Sequence, residues 1–385
     1  MIKAFVRVLM GMIIVNASST AGQPERARDL GVPFSGTPGP LNAITDVKGV
    51  EVGNTTLIRG EGPLVVGQGP VRTGVTVVFP RGRTDADPVY ASWFSQNGNG
   101  EMTGTTWVEE SGFLEGPVAI TNTHSVGLVR DSIIAWDVKT GRIAQQPWSL
   151  PVVAETWDGY LNDINGFHVK QENVFAALES AKGGPIPEGA VGGGTGMVCY
   201  GFKGGDGTAS RIVAGEAGGY TVGVLVQCNC GRRPQLTIAG VPVGKMIPVA
   251  PQKAERDDAT RGDVGSIIIV VATDAPLLPT QLKRLARRAT MGLARTGSTS
   301  GNSSGDIFIA FSTANRGADK LPGPNSVLTV SSARISALFD ATVEATEEAI
   351  VNAMVGAATM TGIDGHTVQG LPHEAVRELM KKAER

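Results

Sequence analysis

The chain has 385 residues, with 34 lysines and arginines against 36 aspartates and glutamates and a formal net charge of −2. This balance excludes a strongly basic surface of the kind that attracts nucleic acids or anionic membranes by charge alone. Glycine is abundant, at 52 residues, and its clustering indicates tight turns and close backbone contacts rather than flexible low-complexity sequence.

The first 21 residues have the pattern of an export signal. Lys3 and Arg7 precede a short apolar stretch at residues 8–15, and small residues follow between positions 17 and 21. A buried amino-terminal strand would explain the apolar stretch but not its basic flank, and the stretch is short for a membrane span. We therefore expect an exported, periplasmic protein without a membrane-bound part, whose mature chain begins near residue 22.

Short strands and helices are mixed along the rest of the chain. The apolar patterns predict strands at residues 50–52, 56–58, 74–79, 118–120, 220–227, 267–272 and 307–311. They predict helices at residues 172–181, 281–293 and 336–354. Glycine-rich connections join these elements, with no internal repeat and no strong linker. This organisation favours one layered α/β or α+β domain.

A run of glycines at residues 192–197 is the first candidate ligand loop. It lacks the lysine and hydroxyl ending of a P-loop, and it does not show the GxGxxG register between a clear strand and helix. We interpret it as close backbone packing or a substrate-facing loop, not as a nucleotide site.

Two further motifs border predicted strands. Ser304 and Asp306 precede the strand at 307–311, either as a β-turn or as a hydroxyl and a carboxylate that hold an ammonium or relay a proton. Asn229 follows the strand at 220–227, either as a left-handed turn residue or as a hydrogen-bond donor to a developing oxyanion. The residues alone leave both interpretations open.

Glu155 and Tyr160 lie in a polar segment at residues 155–163. Their carboxylate and phenol are candidates for substrate binding. The same composition is typical of a surface turn, so this segment also has two interpretations.

The three cysteines do not form a disulfide framework. Cys228 and Cys230 are two residues apart, and in a strand they would point to opposite faces. The four histidines show no metal-ligand spacing with one another or with the cysteines. We interpret the cysteines as small apolar fillers and expect neither a metal nor an organic cofactor.

The dipeptide Gly265-Ser266 joins a polar, charged loop to the apolar run at residues 267–272. No Gly-x-Ser-x-Gly elbow or histidine-based triad is recognisable, so a hydrolase built on this chain needs another base. Cleavage before Ser266 would supply one, because a free α-amine titrates near neutral pH. Glycine at 265 would tolerate a distorted backbone during such cleavage. Ser266 as an ordinary boundary residue is the competing interpretation.

Four stretches resemble a known family from about residue 28 to the carboxyl end. They are residues 36–39, 42–47, 192–197 and 272–277. The family comprises the self-processing serine aminopeptidases, which include the L-aminopeptidase/D-esterase (D-aminopeptidase) enzymes and the β-peptidyl aminopeptidases.

The resemblance implies a precursor that cleaves itself between Gly265 and Ser266. Residues 22–265 would form a large chain and residues 266–385 a small chain, joined in one four-layered αββα domain. Such heterodimers usually assemble further, often into tetramers. The implied substrates are short peptides, amino-acid amides or esters.

The resemblance also implies the roles of individual residues. Ser266 would be the nucleophile, and Ser304 and Asp306 would orient it and its amine. Asn229 would stabilise the oxyanion, and Tyr160 would add a hydrogen bond there. Glu155 would hold the free amino group of the substrate.

Two positions distinguish this chain from the β-peptide-cleaving members, which carry asparagine before the nucleophile and glutamate at the acidic position. Here these residues are Gly265 and Asp306. Together with Tyr160, which not all members share, they favour the L-aminopeptidase/D-esterase branch over β-peptidyl specificity. Two competing functions are ornithine acetyltransferase-like acyl transfer, for which a threonine nucleophile is expected, and ligand binding by an unprocessed periplasmic binding protein.

Overall fold

A computed structural model describes residues 25–143, 148–215, 218–248, 265–320 and 326–383. The signal-like segment at 1–21 and the charged loop before Gly265 lie outside the described residues. No helix among the described residues is long and apolar enough to span a membrane.

Fourteen strands are present in the described ranges. They are β1 (Glu51–Arg59), β2 (Val71–Phe79), β3 (Val89–Ser95), β4 (Phe113–Leu114), β5 (Val118–Asn122), β6 (Val152–Thr156), β7 (Val198–Cys199), β8 (Phe202–Lys203), β9 (Gly205–Ile212), β10 (Thr221–Asn229), β11 (Ser266–Thr273), β12 (Gly305–Ser312), β13 (Met360–Thr361) and β14 (Thr367–Val368). The α-helices are α1 (Thr105–Ser111), α2 (Val126–Thr140), α3 (Gln171–Glu179), α4 (Val243–Met246), α5 (Pro279–Arg295), α6 (Ser336–Val355) and α7 (His373–Ala383).

Two sheets form the centre of the molecule. One has four strands in the order β1-β2-β5-β6, and the other has six in the order β4-β3-β12-β11-β10-β9. Alternate residues of β11 face different neighbours: Ile267 and Ile269 pack with the buried faces of α5 and α6. Ile268 and Val270 pack against the four-stranded sheet.

The other side of the four-stranded sheet is covered by α2 and α3, which pack against Val75 and Val77 of β2. The layers therefore run helices, sheet, sheet, helices. This arrangement confirms the predicted αββα sandwich. It also explains why β11 reads as a continuous apolar run, since both of its faces are buried.

Most of the predicted elements are present, generally with longer bounds. Several other elements of the structure were not predicted. The predicted strands at 50–52 and 56–58 form one strand, β1. Helix α2 was not predicted because its buried face carries Ser132 and Asp137 among the apolar residues, which obscures the helical periodicity. Strand β6 was missed because it ends in Glu155 and Thr156, and all five of its residues are buried.

The central strands determine where the polar motifs meet. Strand β11 pairs antiparallel with β10 on one side and parallel with β12 on the other. The start of β11 therefore lies beside the end of β10 and the start of β12. This end of the six-stranded sheet brings together residues that are far apart in the sequence.

Candidate active site

Ser266 is the first residue of the central strand β11 and lies between β10 and β12 at one end of the sheet. In the ladder it is directly opposite Asn229 of β10 and Gly305 of β12. Ser304 and Asp306 flank that glycine, and the Ser304 hydroxyl donates a hydrogen bond of 2.6 Å to Oδ1 of Asp306. The structure thus brings together four predicted site residues, all of them buried.

Asn97 holds the loop that carries Ser304 in place. Its Oδ1 accepts a hydrogen bond of 2.9 Å from the backbone N–H of Asp306. Its Nδ2 donates to the carbonyls of Ser300 and Gly301 at 3.1 and 2.9 Å. Asn97 was not predicted as a site residue from the sequence. The signal was the alternation of asparagine and glycine at residues 97–100, which is typical of a loop that uses side-chain amides to satisfy another backbone.

Asn229 is the last residue of β10, and its side chain is fixed at both ends. Oδ1 accepts a hydrogen bond of 2.8 Å from the N–H of Val198, and Nδ2 donates one of 3.0 Å to the carbonyl of Trp157. An amide nitrogen carries two protons, so a second proton remains for a substrate oxygen. Asn229 has extended backbone within the strand, and the left-handed interpretation is wrong.

The bond proposed for cleavage is part of the sheet ladder. The N–H of Gly305 donates a hydrogen bond of 3.2 Å to the carbonyl oxygen of Gly265. That contact polarises the carbonyl that Ser266 would attack.

Space explains the glycine at position 265. A Cβ there would lie 2.7 Å from the carbonyl oxygen of Asn229 and 2.9 Å from Cα of Cys230. Gly265 does not have a left-handed conformation. In the uncleaved chain, the close approach of β10 therefore accounts for the glycine, and the expected backbone distortion does not.

Glu155 lies at the buried end of β6, near the same end of the six-stranded sheet. Its carboxylate accepts hydrogen bonds from the Thr123 hydroxyl and from the N–H of Glu101, the latter at 3.1 Å. A Cβ on Gly100 would lie 3.3 Å from Oε1 of Glu155 and 3.1 Å from Cα of Gly305. The backbone of Gly100 therefore lies between the Glu155 carboxylate and the start of β12, and a side chain at position 100 would be crowded by both.

Burial raises the pKa of Glu155, and the hydrogen bonds from Thr123 and Glu101 offset part of this effect. The segment is not the surface turn that its composition also allowed. A buried carboxylate with two donors is well suited to hold a substrate ammonium once the substrate supplies the opposite charge.

Tyr160 lies four residues after Thr156, the last residue of β6. Its half-buried ring stacks on His366 with the ring centres 4.6 Å apart, and the carbonyl of Tyr160 contacts Nδ1 of His366 at 2.9 Å. The same segment includes Trp157, whose carbonyl orients Asn229. A role of the Tyr160 hydroxyl at the oxyanion stays a prediction.

The glycine run forms a short, buried 3-10 helix, Gly192–Gly196. A Cβ on Gly193 would lie 2.0 Å from Oε1 of Gln227, and one on Gly194 would lie 2.3 Å from the backbone nitrogen of Asp206. The run packs between β2, β5 and the strands of the larger sheet. Of the two interpretations from sequence, close backbone packing fits these contacts.

The cysteines are arranged differently from the prediction. The Sγ atoms of Cys228 and Cys230 are 3.6 Å apart, so the prediction that they point to opposite faces is wrong. The reason is that β10 ends at Asn229, and strand alternation does not extend to Cys230. The sulfur of Cys199 joins the same cluster.

Comparisons with known proteins show the family of the chain. Residues 42–368 match the family model described as "Peptidase family S58". The chain is 54% identical over 393 residues to "Beta-peptidyl aminopeptidase BapA" of Sphingosinicella microcystinivorans, covering 99% of this chain and 98% of that protein.

Two solved structures are also similar. One is a "Burkholderia sp. beta-aminopeptidase", with a TM-score of 0.84, 47% identity, and coverage of 93% of this chain and 99% of that one. The other is the "l-aminopeptidase d-ala-esterase/amidase" of Ochrobactrum anthropi, with a TM-score of 0.85, 48% identity, and coverage of 94% and 99%. The latter is described as a prototype for the serine aminopeptidases and a new variant of the Ntn hydrolase fold.

Proposed function

Since the chain belongs to peptidase family S58 and is an aminopeptidase with an amino-terminal nucleophile, we propose that Ser266 is that nucleophile and that self-cleavage at Gly265 creates it. The observation that carries this proposal is the ladder register. It places Ser266 between Asn229 and Gly305, with the hydrogen-bonded pair of Ser304 and Asp306 beside it.

Self-cleavage begins with attack of the Ser266 hydroxyl oxygen on the carbonyl carbon of Gly265. The C–N bond breaks as the new C–O bond forms, and the serine nitrogen takes up the proton. Water then hydrolyses the ester, which leaves a carboxylate on Gly265 and a free α-amine on Ser266. The N–H of Gly305, which contacts the Gly265 carbonyl oxygen, stabilises the negative charge that this oxygen gains.

In peptide hydrolysis, the α-amine of Ser266 takes the proton of its own hydroxyl, which attacks the first carbonyl of the substrate. Nδ2 of Asn229 donates a hydrogen bond to the oxyanion through its second N–H. Ser304, which donates to Asp306, accepts a hydrogen bond from the amine and keeps it oriented. The departing amine receives the proton, and water hydrolyses the acyl-enzyme.

Glu155 binds the amino group of the substrate. Its two protein donors hold the carboxylate at a fixed distance from β12. An ion pair at this depth selects substrates with a free amino terminus, because an acylated amine would leave the buried carboxylate without its opposite charge.

The preferred substrates are L-amino-acid amides and short peptides, and D-amino-acid esters, as in the L-aminopeptidase/D-esterase branch. Cleavage of β-peptidyl amides is the second candidate, which the 54% identity to a β-peptidyl aminopeptidase favours. The ratio of kcat/KM values for an L-alanyl amide and the matching β-homoalanyl amide distinguishes them.

The processing proposal predicts two fragments on a denaturing gel, of which the smaller begins with Ser266 by amino-terminal sequencing. The Ser266→Ala variant should remain a single chain and lose amide hydrolysis, since it has neither the hydroxyl nor the free amine. An intact, active chain in the unchanged protein would overturn the proposal. Amidase activity retained by the variant would assign the nucleophile elsewhere.

We also propose that the processed chains assemble into homo-oligomers, often tetramers, and that the protein is exported to the periplasm after loss of residues 1–21. Light scattering of the purified protein tests the first statement. Cell fractionation with and without residues 1–21 tests the second.

A further inference from the structure

Three buried sulfur atoms lie together next to Asn229. Sγ of Cys199 is 2.8 Å from that of Cys228 and 3.7 Å from that of Cys230, and the last two are 3.6 Å apart. Among the described residues, this is the only group of three histidine, cysteine or acidic side chains whose ligand atoms all lie within 4.8 Å. They are also the only three cysteines of the chain.

A tight hairpin holds Cys199 against the end of β10. Strands β7 and β8 are joined by Tyr200 and Gly201, whose φ angles are 50° and 67°. A left-handed conformation is unfavourable for a bulky residue such as tyrosine. It is maintained here because the Tyr200 N–H donates to the carbonyl of Cys230 at 2.7 Å and its hydroxyl contacts Thr296 at 2.8 Å. The convergence of the sulfurs is thus built into the backbone.

A buried amine interacts with the cluster: burial lowers the pKa of Lys203 to about 7, and the negative charges of Asp206 and Cys199 offset part of this effect. Lys203, on β8, is fully buried, and its Nζ donates to the carbonyls of Met197 and Gly204 at 2.8 and 2.7 Å. No described carboxylate lies within ion-pair distance of it. Negative charge on the neighbouring sulfurs would offset the cost of burying this ammonium.

We propose that Cys199, Cys228 and Cys230 form a three-thiolate site for one soft divalent cation of the Zn²⁺ and Cd²⁺ class. Zn–S bonds of about 2.3 Å in tetrahedral geometry place sulfurs about 3.8 Å apart. Two of the three separations, 3.6 and 3.7 Å, are already close to this value. The 2.8 Å pair must open by about 1 Å.

The charges of the occupied site balance with Lys203. The thiol protons leave to solvent as three sulfur–metal bonds form. Three thiolates and a divalent cation then carry one net negative charge, which the lysine ammonium neutralises.

Occupancy of this site inhibits the enzyme. Two of the three ligands, Cys228 and Cys230, directly precede and follow Asn229. Opening the 2.8 Å pair moves the sulfur of Cys228 relative to that of Cys199, and this movement shifts the neighbouring amide of Asn229. This second step rests on the proposed function, whereas binding of the cation does not.

Titration of the reduced, full-length protein with CdCl₂ tests the binding step. Ultraviolet thiolate-to-cadmium absorption should rise to saturation at one Cd²⁺ per chain with an amplitude for three sulfurs, and EDTA should reverse it. All of this absorption must come from the cluster, because the chain has no other cysteine. Absence of the band, or an amplitude for fewer sulfurs, overturns the proposal. Loss of two thiols to a disulfide under these conditions also overturns it.

Each of the variants Cys199→Ser, Cys228→Ser and Cys230→Ser should bind Cd²⁺ at least about tenfold more weakly. Thr296→Ser, which removes a buried methyl group beside the hairpin but keeps the hydroxyl that contacts Tyr200 and all three sulfurs, is the matched control and should keep three-sulfur binding. If a cysteine variant fails to fold, the sulfur count of the unchanged protein still decides the matter.

Amide hydrolysis is measured in the same samples. Saturating Cd²⁺ should lower kcat of the unchanged protein at least about tenfold, and EDTA should restore it. Three-sulfur binding without inhibition would reject the coupling to Asn229 but not the site. A protein that binds Cd²⁺ and shows no hydrolysis even without the metal would contradict the proposed function instead.

Discussion

Asn97 connects two segments of the site that are more than 200 residues apart in the sequence. Its one side chain accepts from the N–H of Asp306 and donates to the carbonyls of Ser300 and Gly301. We therefore describe it as a positioning residue for Ser304, because it holds both ends of the loop that carries that hydroxyl.

Replacing Asn97 with alanine should lower kcat by about 10- to 100-fold with a smaller change in KM, because a shift of about 1 Å in a catalytic group has effects of this size. Steady-state kinetics on an amino-acid amide measure the split. Asn99→Ala is the matched control. Asn99 bonds the carbonyl of Ser304 through its backbone N–H, and among the described residues its side chain bonds only the carbonyl of Ser303. Equal effects of the two substitutions would refute the positioning role.

The pH dependence of substrate binding should follow Glu155. Burial raises its pKa, so the proposed ion pair with the substrate amine is present above that pKa and is lost as the pH falls through it. Thr123→Val removes a donor that lowers this pKa, and the acid limb of kcat/KM should therefore move to higher pH. A limb that stays in place or moves to lower pH would argue against Glu155 as the amine-binding group.

Among the secondary-structure elements, β11 and β12 are readily predicted because they are continuous apolar runs. The start of β11 at Ser266 follows from the change from polar to apolar sequence. The pairing of these strands, and hence the meeting of Ser266 with Asn229 and Ser304, does not follow from local patterns. Only the resemblance to the family supplied it. The convergence of Cys199 with Cys230 depends on the hairpin turn at Tyr200. This turn could not be predicted from the sequence, because tyrosine rarely adopts a left-handed backbone conformation.

The close contact between the 97–100 loop and β12 predicts a strict requirement for glycine at position 305. A Cβ there would lie 2.3 Å from the carbonyl oxygen of Asn99 and 2.8 Å from Cα of Gly100. Gly305→Ala should therefore slow self-cleavage and lower the free energy of unfolding by about 1–3 kcal/mol. A gel time course and thermal unfolding measure the two effects.

Gly98→Ala is the control in the same loop, because a Cβ at position 98 meets no atom within 4 Å. It should leave cleavage unchanged and alter stability by less than about 1 kcal/mol. Rapid, complete cleavage in Gly305→Ala would show that the loop moves aside without consequence.

At the scale of the whole molecule, Glu348 of α6 links the two chains that cleavage would produce. Its carboxylate forms ion pairs with Arg28 and Arg211, at 2.8 and 2.7 Å, and accepts a hydrogen bond of 2.6 Å from Asn42. The side chains of Glu348 and Arg211 are each only 1% exposed. Since all three partners precede residue 265, this carboxylate contributes directly to cohesion between the proposed large and small chains.

Glu348→Gln should lower the free energy of unfolding by up to about 3–5 kcal/mol, because the buried Arg211 charge then keeps only the longer ion pair with Glu344, at 3.6 Å. Urea denaturation of the uncleaved Ser266→Ala protein measures this without fragment dissociation. Glu347→Gln is the control on the same helix, since its partner Arg295 is 47% exposed and the expected change is about 1 kcal/mol or less. Similar losses for both variants would contradict the special role of Glu348.

Strands β10, β11 and β12 are buried along their whole length, and this determines how long the catalytic arrangement persists. We expect the amide protons of these strands to exchange with solvent mainly through global unfolding, as is typical of core strands. Heat or denaturant should therefore abolish hydrolysis in the same transition that melts the tertiary structure. On this basis we expect activity and tertiary structure to be lost together, so that unfolding of the central sheet sets the working lifetime of the enzyme.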